Sequence, residues 1–200
     1  LINAISGSLS DCRAKAYSVD SVAGQAWTKR GATMQTASRM QNRFDEFIVE
    51  EVVPAIRKDC GGDEDLDIVV AGASIGAFNA LAAIWRHPDI FSKAICMSGT
   101  YDLRKFLDGP MNEDYFRASP LHFVPELAED SEQLAKLRER FILLAHGEGR
   151  YESPEESWRV ANCLGARGIP NRVDVWGDEW HHDWVTWRDM LPKYLDELLD

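Results

Sequence analysis

The chain has 200 residues, 45% of them hydrophobic, and a formal net charge of −11. A chain of this size suits a single domain over residues 1–200 and can bury roughly 70% of its unfolded surface. Its acidity disfavours nucleic acid or an anionic membrane surface as a partner, and no apolar run approaches the ~18 residues of a membrane span.

The first residue is Leu1 and the chain opens in mid-pattern, so amino-terminal strands are expected to be missing from it. Residues 13–19 read as a strand and 20–24 as a loop. A long amphipathic helix is expected over 37–57, with Phe44, Phe47, Ile48, Val52 and Ile56 facing inward. The acidic stretch Gly61-Gly62-Asp63-Glu64-Asp65 is a turn without the spacing or distal glutamate of an EF-hand calcium loop.

The apolar run Ile68-Val69-Val70-Ala71 leads through Gly72-Ala73-Ser74-Ile75-Gly76 into a helical pattern. A serine with glycine two residues before and after, between strand and helix, is the nucleophile-elbow signature of α/β-hydrolases. Among 13 serines and 14 glycines, random placement produces about 0.06 such patterns. Such a tight turn brings strand and helix backbones together. Positions 72 and 76 are therefore expected to exclude bulky side chains, and Ser74 to sit strained at the tip. In the helix that follows, Ala77, Ala80, Leu81, Ile84 and Trp85 form a buried stripe, and His87-Pro88 ends it. With a strand over 93–97 this makes a βαβ unit, hence parallel strands joined by a right-handed crossover.

Residues 100–127, with Pro110, Pro120 and Pro125, read as a loop-rich excursion over the edge of the sheet. A helix over 131–140 and a strand over 141–145 follow. Ser153 is the expected N-cap, and Pro154 a first-turn residue, of a helix reaching 167. The last strand is expected over 172–176 and the last helix over 184–199. This order describes the carboxyl two-thirds of a doubly wound, mostly parallel α/β sheet. Cysteines 12, 60, 96 and 163 lack the paired spacing of a metal site, so free thiols in a reducing, cytoplasmic setting are the plainest reading.

A serine nucleophile needs a base, and the base needs an orienting carboxylate, which in this fold follow in the order serine, acid, histidine at the ends of later strands. That order makes His87 and His122 structural and places His146 where the acid belongs. His181 and His182 lie beyond the last strand, where the base belongs, and spacing alone does not choose between them. His181-His182-Asp183 also lacks a third ligand motif for a metal. Glu148 and Glu152 are both candidate acids in the loop after Ala145, whereas Glu155 suits a helix first turn, where the dipole favours carboxylates.

Four segments carry a family resemblance: Ala71-Gly72-Ala73-Ser74-Ile75-Gly76-Ala77, Arg86-His87-Pro88-Asp89-Ile90-Phe91, Met97-Ser98-Gly99-Thr100-Tyr101-Asp102 and His182-Asp183-Trp184-Val185-Thr186-Trp187-Arg188. Together they resemble the putative-esterase branch of the α/β-hydrolases, related to esterase D, enterochelin esterases and the mycolyltransferases. The resemblance also takes in Val19-Asp20-Ser21-Val22 and Glu50-Glu51-Val52-Val53-Pro54, so it covers essentially the whole chain. It implies Ser74 as nucleophile, His182 as base with Trp184 and Trp187 packing its loop, and Glu152 as acid. Glu148 stays an alternative, because many relatives carry an aspartate nearby. The N–H of Ile75 would supply one oxyanion donor, and the second would come from a loop ahead of Leu1. The resulting expectation is a serine esterase working through an acyl-enzyme on a small-molecule ester, with no metal or cofactor. Acyl transfer to an alcohol, or a non-catalytic binding or scaffolding role on the same fold, are the alternatives. Substrate identity and self-association are not legible.

Overall fold

The structure, a computed structural model, describes residues 2–11, 13–107 and 109–199. Four strands, β1 (Ile68–Ala73), β2 (Phe91–Met97), β3 (Phe141–His146) and β4 (Asn171–Val175), lie side by side in sequence order, and every pair is parallel. Ahead of the sheet come the helices α1 (Ser6–Ser10), α2 (Val22–Thr28), α3 (Met34–Phe47) and α4 (Val53–Asp59). The crossover α5 (Ile75–Arg86) joins β1 to β2; α6 (Glu113–Ala118), α7 (Pro120–Phe123) and α8 (Glu132–Leu137) lie between β2 and β3. Helix α9 (Pro154–Ala166) links β3 to β4, and α10 (Trp184–Leu198) follows β4.

Side chains along a strand alternate between faces, and here both faces are covered. Ala94, Cys96, Ile142 and Leu144 pack with α5 residues such as Phe78, Leu81 and Trp85 and with Val160 and Leu164 of α9. Ile95, Met97, Leu143 and Ala145 face the other way, onto Trp187, Met190, Leu191 and Tyr194 of α10. Burial on both sides is why residues 94–97 of β2 and 141–145 of β3 read as unbroken apolar runs instead of alternating ones. The expected stripe of α5 is fully in the core, with Ala77, Leu81, Ile84 and Trp85 all buried.

Several expectations are corrected ahead of the sheet. Residues 13–19 form no strand, and no neighbouring strand among the described residues offers them a ladder. They run largely exposed, tethered by Arg13 to Asp196 at 2.5 Å and by Lys15 and Tyr17 to the Asp59 carboxylate. Residues 22–24 are helical instead of loop, because the Ser21 hydroxyl caps α2 by accepting the Gly24 N–H. The long helix starts earlier than expected, at a capping box between Thr33 and Thr36. Its continuity is broken by a π-helical turn, Ile48–Val52. Pro54 just beyond has no N–H to donate back into the ladder, which accounts for the wide turn. The buried face of α3 is Met34, Ala37, Ser38, Gln41 and Asp45, so Phe44 and Phe47 are not its core residues; Phe47 is exposed.

Within the excursion, short helices replace much of the expected loop, and Asn112 caps α6 by accepting the Tyr115 N–H. Ser153 precedes α9 but makes no capping hydrogen bond. Its backbone leaves the extended region that a capping serine adopts. The described cysteines, Cys60, Cys96 and Cys163, are free thiols, while Cys12 lies outside the described residues. No helix among the described residues is long and apolar enough to cross a membrane.

Candidate active site

β1 ends at Ala73 and α5 begins at Ile75, so Ser74 alone makes the turn between them. Its φ of 57° and ψ of −122° lie where residues with side chains rarely sit. Three backbone hydrogen bonds hold it there. Ser74 N–H donates to Met97 O at 3.0 Å, and Ser74 O accepts from Ala77 N–H at 3.1 Å and Thr100 N–H at 3.2 Å. A Cβ at Gly72 would lie 2.1 Å from the Gly76 carbonyl oxygen, so the turn requires glycine at 72. At Gly76 an added Cβ meets nothing outside its own helix within 4 Å, which corrects the expectation that position 76 also excludes side chains. The reason is directional: the Cβ vector of 72 aims into the helix, and that of 76 aims away. Ile75 is the first residue of α5, where an N–H has no intrahelical acceptor and stands free beside Ser74.

Two loops that run backbone to backbone bring the other side chains to Ser74. The loop after β3 and the loop after β4 are joined by Glu148 N–H to Gly177 O (2.8 Å), Gly149 N–H to Trp180 O (2.9 Å) and His182 N–H to Arg150 O (3.0 Å). Glycines make this approach possible. A Cβ at Gly147 would lie 2.0 Å from Trp180 O, and one at Gly149 would lie 2.0 Å from His181 Nδ1.

His182 Nε2 is 2.9 Å from Ser74 Oγ. Its Nδ1 faces Glu152 Oε2 at 3.8 Å, longer than a hydrogen bond, and has no other partner. The Glu152 side chain is 1% exposed against 22% for His182. Tyr151 precedes it at a φ of 67° and is 81% exposed, so the chain turns outward at 151 and inward at 152. Glu148 is exposed, and Glu155 is exposed in the first turn of α9. It is Glu152 that the loops bring to His182.

The remaining histidines have other partners. His181 Nδ1 accepts the Arg150 N–H at 3.0 Å, turned away from Ser74. The Asp183 carboxylate caps α10 by accepting from Val185 and Thr186 N–H, so His181, His182 and Asp183 do not converge on one point. His87 Nε2 pairs with Asp45 at 2.9 Å, and His122 Nδ1 lies 2.8 Å from Ser119 Oγ. His146 ends β3 in the core, its Nδ1 2.8 Å from Gly147 O.

Sequence reasoning missed two residues that shape this site. Ser98 Oγ is 2.6 Å from Glu152 Oε1 and 3.0 Å from Trp187 Nε1. Its sequence signals were a place directly after a buried strand and membership of the segment 97–102 that carries the family resemblance. Glu156 is buried and accepts the N–H groups of Tyr101 at 2.8 Å and Asp102 at 3.1 Å, pinning the start of the excursion beside Ser98. A carboxylate heading the apolar stripe Val160, Ala161 and Leu164 was the signal there. Burial pushes the Cys96 thiol and the Tyr115 phenol each up to about 12 and lifts Tyr101 well above its ordinary value. These groups behind the site are neutral near pH 7. Of the two tryptophans expected to pack the His182 loop, Trp187 is buried, whereas Trp184 is 55% exposed with its ring centroid 5.2 Å from that of Trp187.

A parallel sheet with helices on both faces and a serine at the strand-to-helix turn defines the class, an α/β-hydrolase. The model of the family described as Putative esterase matches residues 13–198, and the chain belongs to that family. The structure is similar to that of a ferulic acid esterase, with a TM-score of 0.60 at 22% identity over 76% of this chain and 59% of that one. It is similar also to the fluorophosphonate-binding serine hydrolase F of Staphylococcus aureus (TM-score 0.61, 15% identity, 78% of this chain and 63% of that one). A third is the S-formylglutathione hydrolase of Staphylococcus aureus (TM-score 0.58, 13% identity, 84% of this chain and 66% of that one). At these identities the likeness shows the shared fold. The chain spans less than two thirds of the length of each of these proteins. No curated protein matches it.

Proposed function

We propose that the chain is a serine hydrolase of carboxylic esters, with Ser74 as nucleophile, His182 as base and Glu152 as the orienting acid. One observation carries the reading: a strained serine at a strand-to-helix turn lies 2.9 Å from the ring nitrogen of a histidine 108 positions later in the chain. Chance contacts between exposed polar residues do not involve a backbone held in a rare conformation by three hydrogen bonds.

In the proposed reaction Ser74 Oγ attacks the ester carbonyl carbon while its proton passes to His182 Nε2. The carbonyl oxygen becomes an oxyanion, to which Ile75 N–H donates. As the tetrahedral intermediate collapses, the C–O bond to the alcohol breaks and the imidazolium returns the proton to the leaving oxygen. Water then repeats the sequence on the acyl-serine, giving the carboxylic acid and free Ser74. Glu152 keeps the His182 proton on Nδ1 and stabilises the imidazolium. The 3.8 Å separation shortens to a hydrogen bond on attack, since catalytic contacts are often long in the free enzyme. The proposed substrate is a small-molecule ester, and the proposed setting is the cytoplasm, which the free thiols at Cys60, Cys96 and Cys163 support.

A fluorophosphonate probe tests this directly. The protein is expected to be labelled at Ser74 and to hydrolyse p-nitrophenyl acetate, with both lost in Ser74→Ala. Labelling that persists in Ser74→Ala, or none in the folded wild type, would sink the assignment and leave a binding role on this fold.

A further inference from the structure

The 2.6 Å contact between Ser98 and Glu152 has a direction that chemistry determines. An indole nitrogen only donates, so at the 3.0 Å contact with Trp187 Nε1 the Ser98 oxygen is the acceptor. The hydroxyl then donates its own hydrogen bond to the Glu152 carboxylate, which accepts it on Oε1. That leaves Oε2 as the oxygen turned to His182 Nδ1. The same Trp187 ring stands edge-on to the His182 ring, with centroids 5.2 Å apart and an interplanar angle of 85°. One tryptophan thus touches the base directly and reaches the acid through a single hydroxyl.

Ser98 is built for this place. It is 2% exposed, follows β2 at a φ of 47°, and is anchored by its N–H to Ala145 O at 2.7 Å. Only a side chain that both accepts and donates can satisfy Trp187 and Glu152 together, and a branched Thr is disfavoured at positive φ. The buried Glu156 carboxylate, holding the N–H groups of Tyr101 and Asp102, keeps the following backbone from swinging away.

We propose that Ser98 is a positioning residue for the ester hydrolysis, acting through Glu152: its hydroxyl, fixed by Trp187, selects which carboxylate oxygen faces His182. The proposal rests on the reading of Glu152 as the acid. Loss of a hydrogen bond to a charged group corresponds to about 10–100-fold in rate.

The test is a mutant cycle on the full-length protein with p-nitrophenyl acetate as substrate. Ser98→Ala is expected to lower kcat by about 10–100-fold with KM changed less than about twofold. In a Glu152→Gln background the same change is expected to alter kcat less than about twofold, because the group through which it acts is already disabled. Trp187→Phe, which keeps a ring against His182 but loses the N–H, is expected to give a smaller loss of the same kind. Ser98→Gly relieves the positive φ and carries the same cycle should Ser98→Ala not fold. Equal losses in both backgrounds, a loss in KM alone, or unchanged kcat would overturn the role. A fully active Glu152→Gln would instead overturn the acid itself and this inference with it, whereas a crippled Glu152→Gln beside a silent Ser98→Ala overturns the inference alone.

Discussion

The turn at Ser74 and the pair of loops bearing Glu152 and His182 reach one point by different means. At the turn, five consecutive residues set the shape: Gly72 lets the strand touch the helix, and Ser74 is left at the tip with φ 57°, where hydrogen bonds to Met97 and Thr100 lock it. At the loops, nothing local places either side chain. Glu152 and His182 are set by a ladder of backbone hydrogen bonds between segments thirty residues apart, made possible by Gly147 and Gly149. The position of Ser74 originates in short-range backbone geometry, while that of Glu152 and His182 is a property of a tertiary clasp. Substitutions should therefore behave differently in the two regions.

The largest effect sharpens the choice within the clasp. Glu152→Gln is expected to lower kcat by about 10⁴, as for removal of an orienting carboxylate, with Tm nearly unchanged because Gln still accepts from Ser98. Glu148→Gln is expected to stay within about threefold, since that side chain is exposed. Steady-state kinetics on a nitrophenyl ester compares them, and the reverse order would move the acid to Glu148.

Next come the glycines. Gly72→Ala puts a methyl 2.1 Å from a backbone oxygen, and Gly147→Ala puts one 2.0 Å from Trp180 O. Each should destabilise by roughly 1–3 kcal/mol, whereas Gly76→Ala should be neutral or slightly stabilising, as replacing a helical glycine generally is. Thermal melts of the three variants report this, and Gly147→Ala should additionally lower kcat by misplacing both loops. Equal melting points for Gly72→Ala and Gly76→Ala would contradict the one-sided contact.

The smallest expected effect is at His181. Its ring accepts the Arg150 N–H, which stands next to the carbonyl that holds His182. His181→Ala should destabilise by about 1 kcal/mol and reduce kcat far less than His182→Ala does. Comparable losses of kcat in the two variants would show that the clasp depends on His181 as much as the chemistry depends on His182.

Legibility in the sequence followed the range of the forces involved. The strands β1 to β4, the stripe of α5 and the serine at the turn were readable because apolar runs and a tight turn impose their pattern on neighbouring residues. The stretch 13–19 misled because its residues look strand-like while the strand depends on a partner that the described fold does not supply. The inward face of α3 misled because aromatic residues drew attention from the smaller Ala37, Ser38 and Gln41, which face the core through the rotation set upstream of the π turn.

By itself the sequence determined the α/β class, the parallel sheet and Ser74 at the strand-to-helix turn, since each depends on periodicity or on sterics within a few residues. It also narrowed the proposed base to two adjacent histidines and the proposed acid to two glutamates. Only the tertiary structure brought His182 to Ser74, turned His181 onto Arg150 and carried Glu152 inward past an outward Tyr151. The hydrogen bonds of Ser98, Trp187 and Glu156 likewise became visible only there. Side chains on neighbouring positions of a loop point in directions that no spacing rule encodes. Those directions are decided by hydrogen bonds to another loop, whose partners are known only once the chain has folded.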